Sequence, residues 1–165
     1  MATHDTVKKA LALLSAVWPR QELSALTPEV YEKTLADVPD DLLEEATLAA
    51  AAEETFWPVP AAIRAKALEL LARRAGIPTP HEAWGEVIHA MRACRPNQRP
   101  WSHEVVKLAV QDMGGLHLLG VVDEADANIS RAQFVAAYNG RLSRWRHEAT
   151  RQLGAGEPVK ELEAG

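Results

Sequence analysis

The chain has 165 residues, 47% of them hydrophobic and 25% charged, and a formal net charge of −5 at pH 7. That balance describes one folded domain or two small ones, and it excludes a disordered chain or a protein that coats nucleic acid. No apolar run is long enough to span a bilayer, and a single cysteine, Cys94, excludes an internal disulfide and a cysteine-rich metal site. Ala, Leu and Val dominate the apolar residues, which favours helix over sheet. Five of the nine aromatics are tryptophan, so each is expected to anchor a packing site. The opening MATHDTVKKALALLSAVWPR holds a short apolar stretch. Asp5 precedes its lysines and no clean cleavage pattern follows, so the expected location is cytoplasmic.

In chain order, Val7, Leu11, Leu14 and Val17 recur at helical spacing until Pro19 ends the run. Thr27-Pro28 predicts the next helix, with threonine as cap and proline in the first turn. Its expected inner residues are Tyr31, Leu35 and Val38, with Glu29 and Lys33 outside. VPDDLLEEATLAAAAEE opens on aspartates that suit the positive end of a helix. Leu42, Leu43, Ala46 and Ala50 are its inner face. Pro60 begins a fourth helix with Ile63, Ala67, Leu70 and Leu71 inward, and Gly76 is a natural stop.

The segment GIPTP forbids a continuous helix and is the expected seam. Thr79-Pro80 repeats the Thr-Pro start and leads a helix with Trp84, Val87, Ile88 and Met91. After the polar loop CRPNQRPWS, Ser102 is the expected cap of a helix carrying Val105, Val106, Ala109, Val110 and Met113, closed by Gly114-Gly115. A short turn, LHLLG, and an acidic loop, VVDEADANI, follow. Ser130 and Gln133 match a capping box, and the final helix places Phe134, Tyr138, Leu142 and Trp145 on one stripe. Residues 154–165 are expected to be a flexible acidic tail. The fold class is all-α: an N-terminal four-helix bundle over 1–76, and a second helical module over 77–153 packed on it.

Catalytic patterns are weak. Three histidines stand in the dipeptide His-Glu, at His81, His103 and His147, and none continues to a second zinc-site histidine. Glu86 and His89 form only half of a di-iron pattern, which needs the motif twice and two more glutamates. There is no glycine-rich phosphate loop. The expectation is a protein without catalytic residues, metal or cofactor.

The arginines are more informative. Residues 1–76 hold 8 basic and 12 acidic side chains, and residues 77–153 hold 9 and 8. Within the second part Arg131, Arg141, Arg144, Arg146 and Arg151 have only Glu148 as an opposing charge nearby in sequence. On a helix Arg141, Arg144 and Arg151 form one stripe beside Tyr138 and Trp145, suited to a phosphate backbone or an acidic protein surface. Equally, it could be a solvated face.

The segment ETFWPVPAAIR can be a ligand groove, a docking peptide or a helix–helix corner. PVP is too short for a polyproline ligand, so the corner is the reading, with Phe56 and Trp57 filling the joint and Pro58 and Pro60 forcing the turn.

The order of these corners carries a resemblance. Trp18-Pro19 after the first helix, Tyr31 to Asp37 in and after the second, and Phe56, Pro58, Pro60, Ile63 and Arg64 at the third corner recur in sequence. This series resembles the N-terminal helical domain of the bacteriophage replicative helicase loader/inhibitor family, over the first half of the chain. The resemblance implies a non-enzymatic phage or prophage replication factor that binds a DnaB-type ring helicase, delivers it to an origin-binding protein and holds it inactive until release. Family members tend to end in a flexible segment, whereas this chain continues in helices through Leu153. The expected partner surface is Phe56, Trp57 and Arg64 with Arg144. The alternative is a DNA-binding phage regulator or packaging adaptor using Arg141, Arg144 and Arg151.

Overall fold

The computed structural model describes residues 2–92, 101–116 and 127–154. Among them are seven helices and no strand: α1 (His4–Val17), α2 (Thr27–Leu35), α3 (Asp40–Glu53), α4 (Pro60–Arg74), α5 (Pro80–Arg92), α6 (Glu104–Asp112) and α7 (Ala127–Gly154). The protein is all-α. It divides into two units, Met1–Arg74 together with the end of α7 from Ala149, and Ala75–Glu148. No helix among the described residues is long and apolar enough to cross a membrane. The polar loop at 93–100 with Cys94, most of the LHLLG turn and acidic loop, and the tail after Gly154 lie outside the described residues.

In the first unit α1 packs on α2 and α3, and α4 packs on the same two helices. Leu14, Leu35, Leu43 and Ile63 are fully buried where the four meet, with Ala46, Ala50 and Ala67 at the contacts. Small side chains there let helix backbones approach, while each buried Leu or Ile contributes roughly 1.5–3 kcal/mol by leaving water. Val7, Leu11, Tyr31, Val38 and Leu42 are buried as their spacing predicts. Val17 is exposed instead, because it is the last residue of α1 and the following Trp18 takes the place over the core. Leu70 and Leu71 are only partly buried.

The helix starts differ in chemistry. Thr3 caps α1, its hydroxyl accepting from the Thr6 amide, and its own amide donates to Asp40 Oδ1 at 2.8 Å. That backbone donor is the main reason the Asp40 carboxyl sits below its ordinary range. Thr27 does not cap α2 but is its first residue; the cap position is Leu26, which has no side-chain oxygen, and Pro28 supplies the preset first turn. Glu29 and Lys33 pair on the outer face as an i,i+4 couple. Gly76 follows α4 at φ +74°, a conformation other residues rarely adopt.

In the second unit Thr79 and Glu82 form a reciprocal capping box. The Glu82 carboxylate accepts from the Thr79 amide at 2.7 Å, and the Thr79 hydroxyl accepts from the Glu82 amide at 3.3 Å. α6 is capped by His103, not Ser102: His103 Nδ1 accepts from the Val105 amide at 3.1 Å. Ser102 faces α5, its amide and hydroxyl both donating to the Glu86 carboxylate. Gly114 and Gly115, both at positive φ, close α6, with the Gly115 amide on the Val110 carbonyl and the Gly114 amide on Gln111. α7 begins at Ala127, so Ser130 lies inside the helix and is buried rather than starting it. Phe134, Tyr138, Leu142 and Trp145 are all buried along one stripe, as the pattern predicts. Rings of Trp84 and Phe134 stand 5.4 Å apart, and those of Phe134 and Tyr138 5.9 Å.

Candidate functional site

Where the chain leaves α3, Glu54 is extended at φ −85° and ψ 137°, and the next residues cross between the end of α1 and the face of α2. The Trp18 indole Nε1 donates to the Thr55 carbonyl at 3.3 Å, and its ring lies 6.3 Å from that of Trp57 at an angle of 58°. Trp57 Nε1 in turn donates to the Tyr31 hydroxyl oxygen at 2.7 Å, and the Tyr31 hydroxyl donates to the Pro58 carbonyl at 2.6 Å. A run of donors and acceptors therefore locks the corner to two helices, and the buried Tyr31 hydroxyl and the Trp57 indole nitrogen both have partners. Burial raises the Tyr31 pKa above its ordinary value, partly offset by the Trp57 hydrogen bond. Pro60 opens α4, where the Ala62 amide reaches the Val59 carbonyl.

Trp57 packs against the core as expected, but Phe56 does not fill the joint: it is 80% exposed. The physical reason is occupancy. Trp18 and Tyr31 already flank Trp57, and the chain bends at Thr55 and Phe56, which leaves the Phe56 ring in solvent. Val59, between the prolines, is also exposed.

Arg64 pairs with Asp37 just beyond α2, and both line a shallow cleft with Leu42, Leu71 and Leu153 of the same unit. The arginine thus braces α4 against the link between α2 and α3, with about 40% of its side chain still exposed.

The arginines of α7 are less free than their sequence neighbours suggest. Arg141 grips Asp112 of α6 with two bonds, Nε at 2.6 Å and Nη2 at 2.5 Å. Asp112 is therefore a second opposing charge besides Glu148, distant in sequence and close in space. Its carboxyl is held below the ordinary range, chiefly by the Arg141 hydrogen bonds and in smaller part by the charges of Arg141 and Arg144. Arg144 is exposed. Arg141 and Arg144 belong to the second unit and Arg151 to the first. Arg131 reaches His81 Nδ1 at 3.5 Å.

The glutamates of the His-Glu pairs in α5 and α6 have structural partners. Glu82 completes a cap, and Glu104 binds Lys107 at 2.9 Å. Glu86, half of the E-x-x-H pattern, is engaged by Ser102. Among the described residues no group of three or more His, Cys, Asp or Glu stands close enough to hold a metal.

Sequence reasoning named Phe56, Trp57 and Arg64 but missed Trp18, Tyr31 and Asp37 as their partners. A signal existed: a buried tyrosine or tryptophan needs a hydrogen-bond partner, and the corner is rich in carbonyls freed by proline. No known protein family matches the chain, and no curated protein or solved structure is similar to it.

Proposed function

We propose that the protein works by binding, as a phage or prophage replication factor that loads or restrains a DnaB-type hexameric helicase in the host cytoplasm. It carries out no chemistry of its own, and an origin-binding protein is its second partner. One observation carries this reading. Trp18, Tyr31, Asp37, Pro58 and Arg64 are scattered along the first half of the sequence, and they are among the residues that carry the family resemblance. The fold links Trp18, Tyr31 and Pro58 through Thr55 and Trp57 in one hydrogen-bonded corner, and separately pairs Asp37 with Arg64 between α4 and the link after α2. The corner holds Phe56 out on a rigid base, the arrangement of an interface anchor that loses little entropy on binding. Acting on a helicase requires only that the adaptor bind one ring conformation better than another. Arg144 is the outlying contact in the second unit.

The test is size-exclusion chromatography of the full chain with the DnaB-type helicase of the same genome, at micromolar concentration and without DNA. A co-eluting complex that Phe56→Ala weakens by ~10-fold or more, the scale of an anchor residue, supports the reading. Absence of any complex overturns it. The alternative, a DNA-binding regulator or packaging adaptor, loses weight because Arg141 is committed to Asp112. It predicts binding that falls steeply with salt and fails in the Arg141/Arg144/Arg151 triple alanine variant.

A further inference from the structure

The end of the first unit that holds the corner carries more exposed apolar surface than the corner alone. Val17, Leu26, Val30, Phe56 and Val59 are all exposed. They share one end of the bundle because the chain is tied there twice: Trp18, next to Val17, bonds to Thr55, next to Phe56. Tyr31, next to Val30, bonds to Pro58, next to Val59. Leu26 and Val30 are one helical turn apart, joined by the Val30 amide on the Leu26 carbonyl, so they form a short ridge along α2.

Charge around this patch is unbalanced. Lys9, Lys33, Arg64, Lys66, Arg73 and Arg74 are each paired with a carboxylate of the same unit. Glu22 and Glu54 are exposed, and among the described residues neither side chain has an ion-pair partner. Both border the patch: Glu54 lies two residues before Phe56, and Glu22 lies in the loop that leaves Trp18. Arg20 is the one cation of that loop, so the rim remains net negative.

We infer that this face docks a basic amphipathic helix of a partner protein, its apolar stripe over Phe56 and the α2 ridge and its cations toward Glu22 and Glu54. The inference rests on the partner-binding reading above and names the chemistry of the element that is bound. A strand is a poor occupant, because no sheet edge exists among the described residues for it to extend. A helix presents apolar residues at i, i+3/i+4 and i+7, which matches a ridge with an aromatic anchor beside it.

The test uses two fluorescein-labelled helical peptides of ~18 residues, about five turns, with the same leucine stripe flanked by lysine in one and glutamate in the other. Anisotropy titrations with the full chain at low salt should show the lysine peptide binding ~10-fold more tightly. Glu22→Lys with Glu54→Lys should invert that preference, while Asp5→Lys at the far end of α1 should leave it unchanged. Phe56→Ser should weaken both peptides by a similar factor. All four positions are exposed, so the variants should melt close to the parent, with Asp5→Lys slightly lower because it reverses a charge in the first turn of α1. Equal affinity for the two peptides, a preference for the glutamate peptide, or a preference that Asp5→Lys alters as much as the Glu22/Glu54 reversal overturns the inference. Helicase co-elution is scored separately. A charge-selective peptide site without a helicase complex leaves the docking face standing and removes the helicase. A complex without charge selectivity does the reverse.

Discussion

Pro58-Val59-Pro60 and Pro78-Thr79-Pro80 each turn the chain into a helix that begins at the second proline. In each, a buried tyrosine hydroxyl donates to the first proline's carbonyl, Tyr31 at 2.6 Å and Tyr138 at 2.5 Å. Two prolines remove two amide donors, so the turn has little to satisfy except an acceptor, and the tyrosine satisfies it. Beyond that shared device the corners diverge. At the second, Thr79 and Glu82 close the helix start and the nearby Phe134 is fully buried between Trp84 and Tyr138. At the first, Val59 replaces the capping threonine and Phe56 is 80% exposed. The turn itself therefore does not require an exposed aromatic. What sets the first corner apart is exposed apolar surface, and the proposed partner contact rests on it.

The chain's two phenylalanines give the largest contrast. Phe134→Ala should cost about 3–5 kcal/mol by opening a cavity in the second unit, read by chemical denaturation. Equal costs for Phe134→Ala and Phe56→Ala would break the comparison.

Next come the tyrosines. Tyr31→Phe should cost about 1–3 kcal/mol, because it strands the Pro58 carbonyl and takes the acceptor from Trp57 together. Tyr138→Phe strands one carbonyl and should cost less. Burial holds both hydroxyls above their ordinary value of 10.0, so the native state keeps protons that the unfolded state loses. Stability should decline as pH rises above that value, and each Tyr→Phe variant should remove its share of the decline.

Glu82→Ala, which opens the cap found only at the second corner, should cost about 0.5–1 kcal/mol. The acid limb tests the α6–α7 brace. Arg141 holds the Asp112 carboxyl low, so its contribution is present above the ordinary value of 3.8 and is lost as pH falls through the folded value. Arg141→Ala should flatten that limb by no more than about 1 kcal/mol, since the pair is partly exposed. The smallest effect on stability, within about 0.5 kcal/mol, is expected for Phe56→Ala, whose consequence should appear in partner binding.

Helix identity was legible wherever apolar residues recur at helical spacing, and the α7 stripe from Phe134 to Trp145 is buried as its spacing predicts. Errors gathered at the caps. Thr27, Ser102 and Ser130 are all good capping residues, yet the work falls to Leu26's turn, to His103 and to an earlier start at Ala127. A cap depends on where the helix actually starts, and tertiary contacts such as Ser102 with Glu86 move that point by a residue or more. At the candidate site Phe56, Trp57 and Arg64 could be named from the sequence, but whether each faces inward could not.

Periodicity, proline placement and composition were enough to specify an all-helical chain with its turns at Pro19, Pro58–Pro60 and Pro78–Pro80, since these act through local backbone geometry. Three matters waited for the folded arrangement: that Trp57 turns in while Phe56 turns out, that Arg141 is held by Asp112, and that Glu22 and Glu54 have no ion-pair partner among the described residues. Each depends on groups far apart in the chain competing for the same space or the same charge, and only packing settles such a competition.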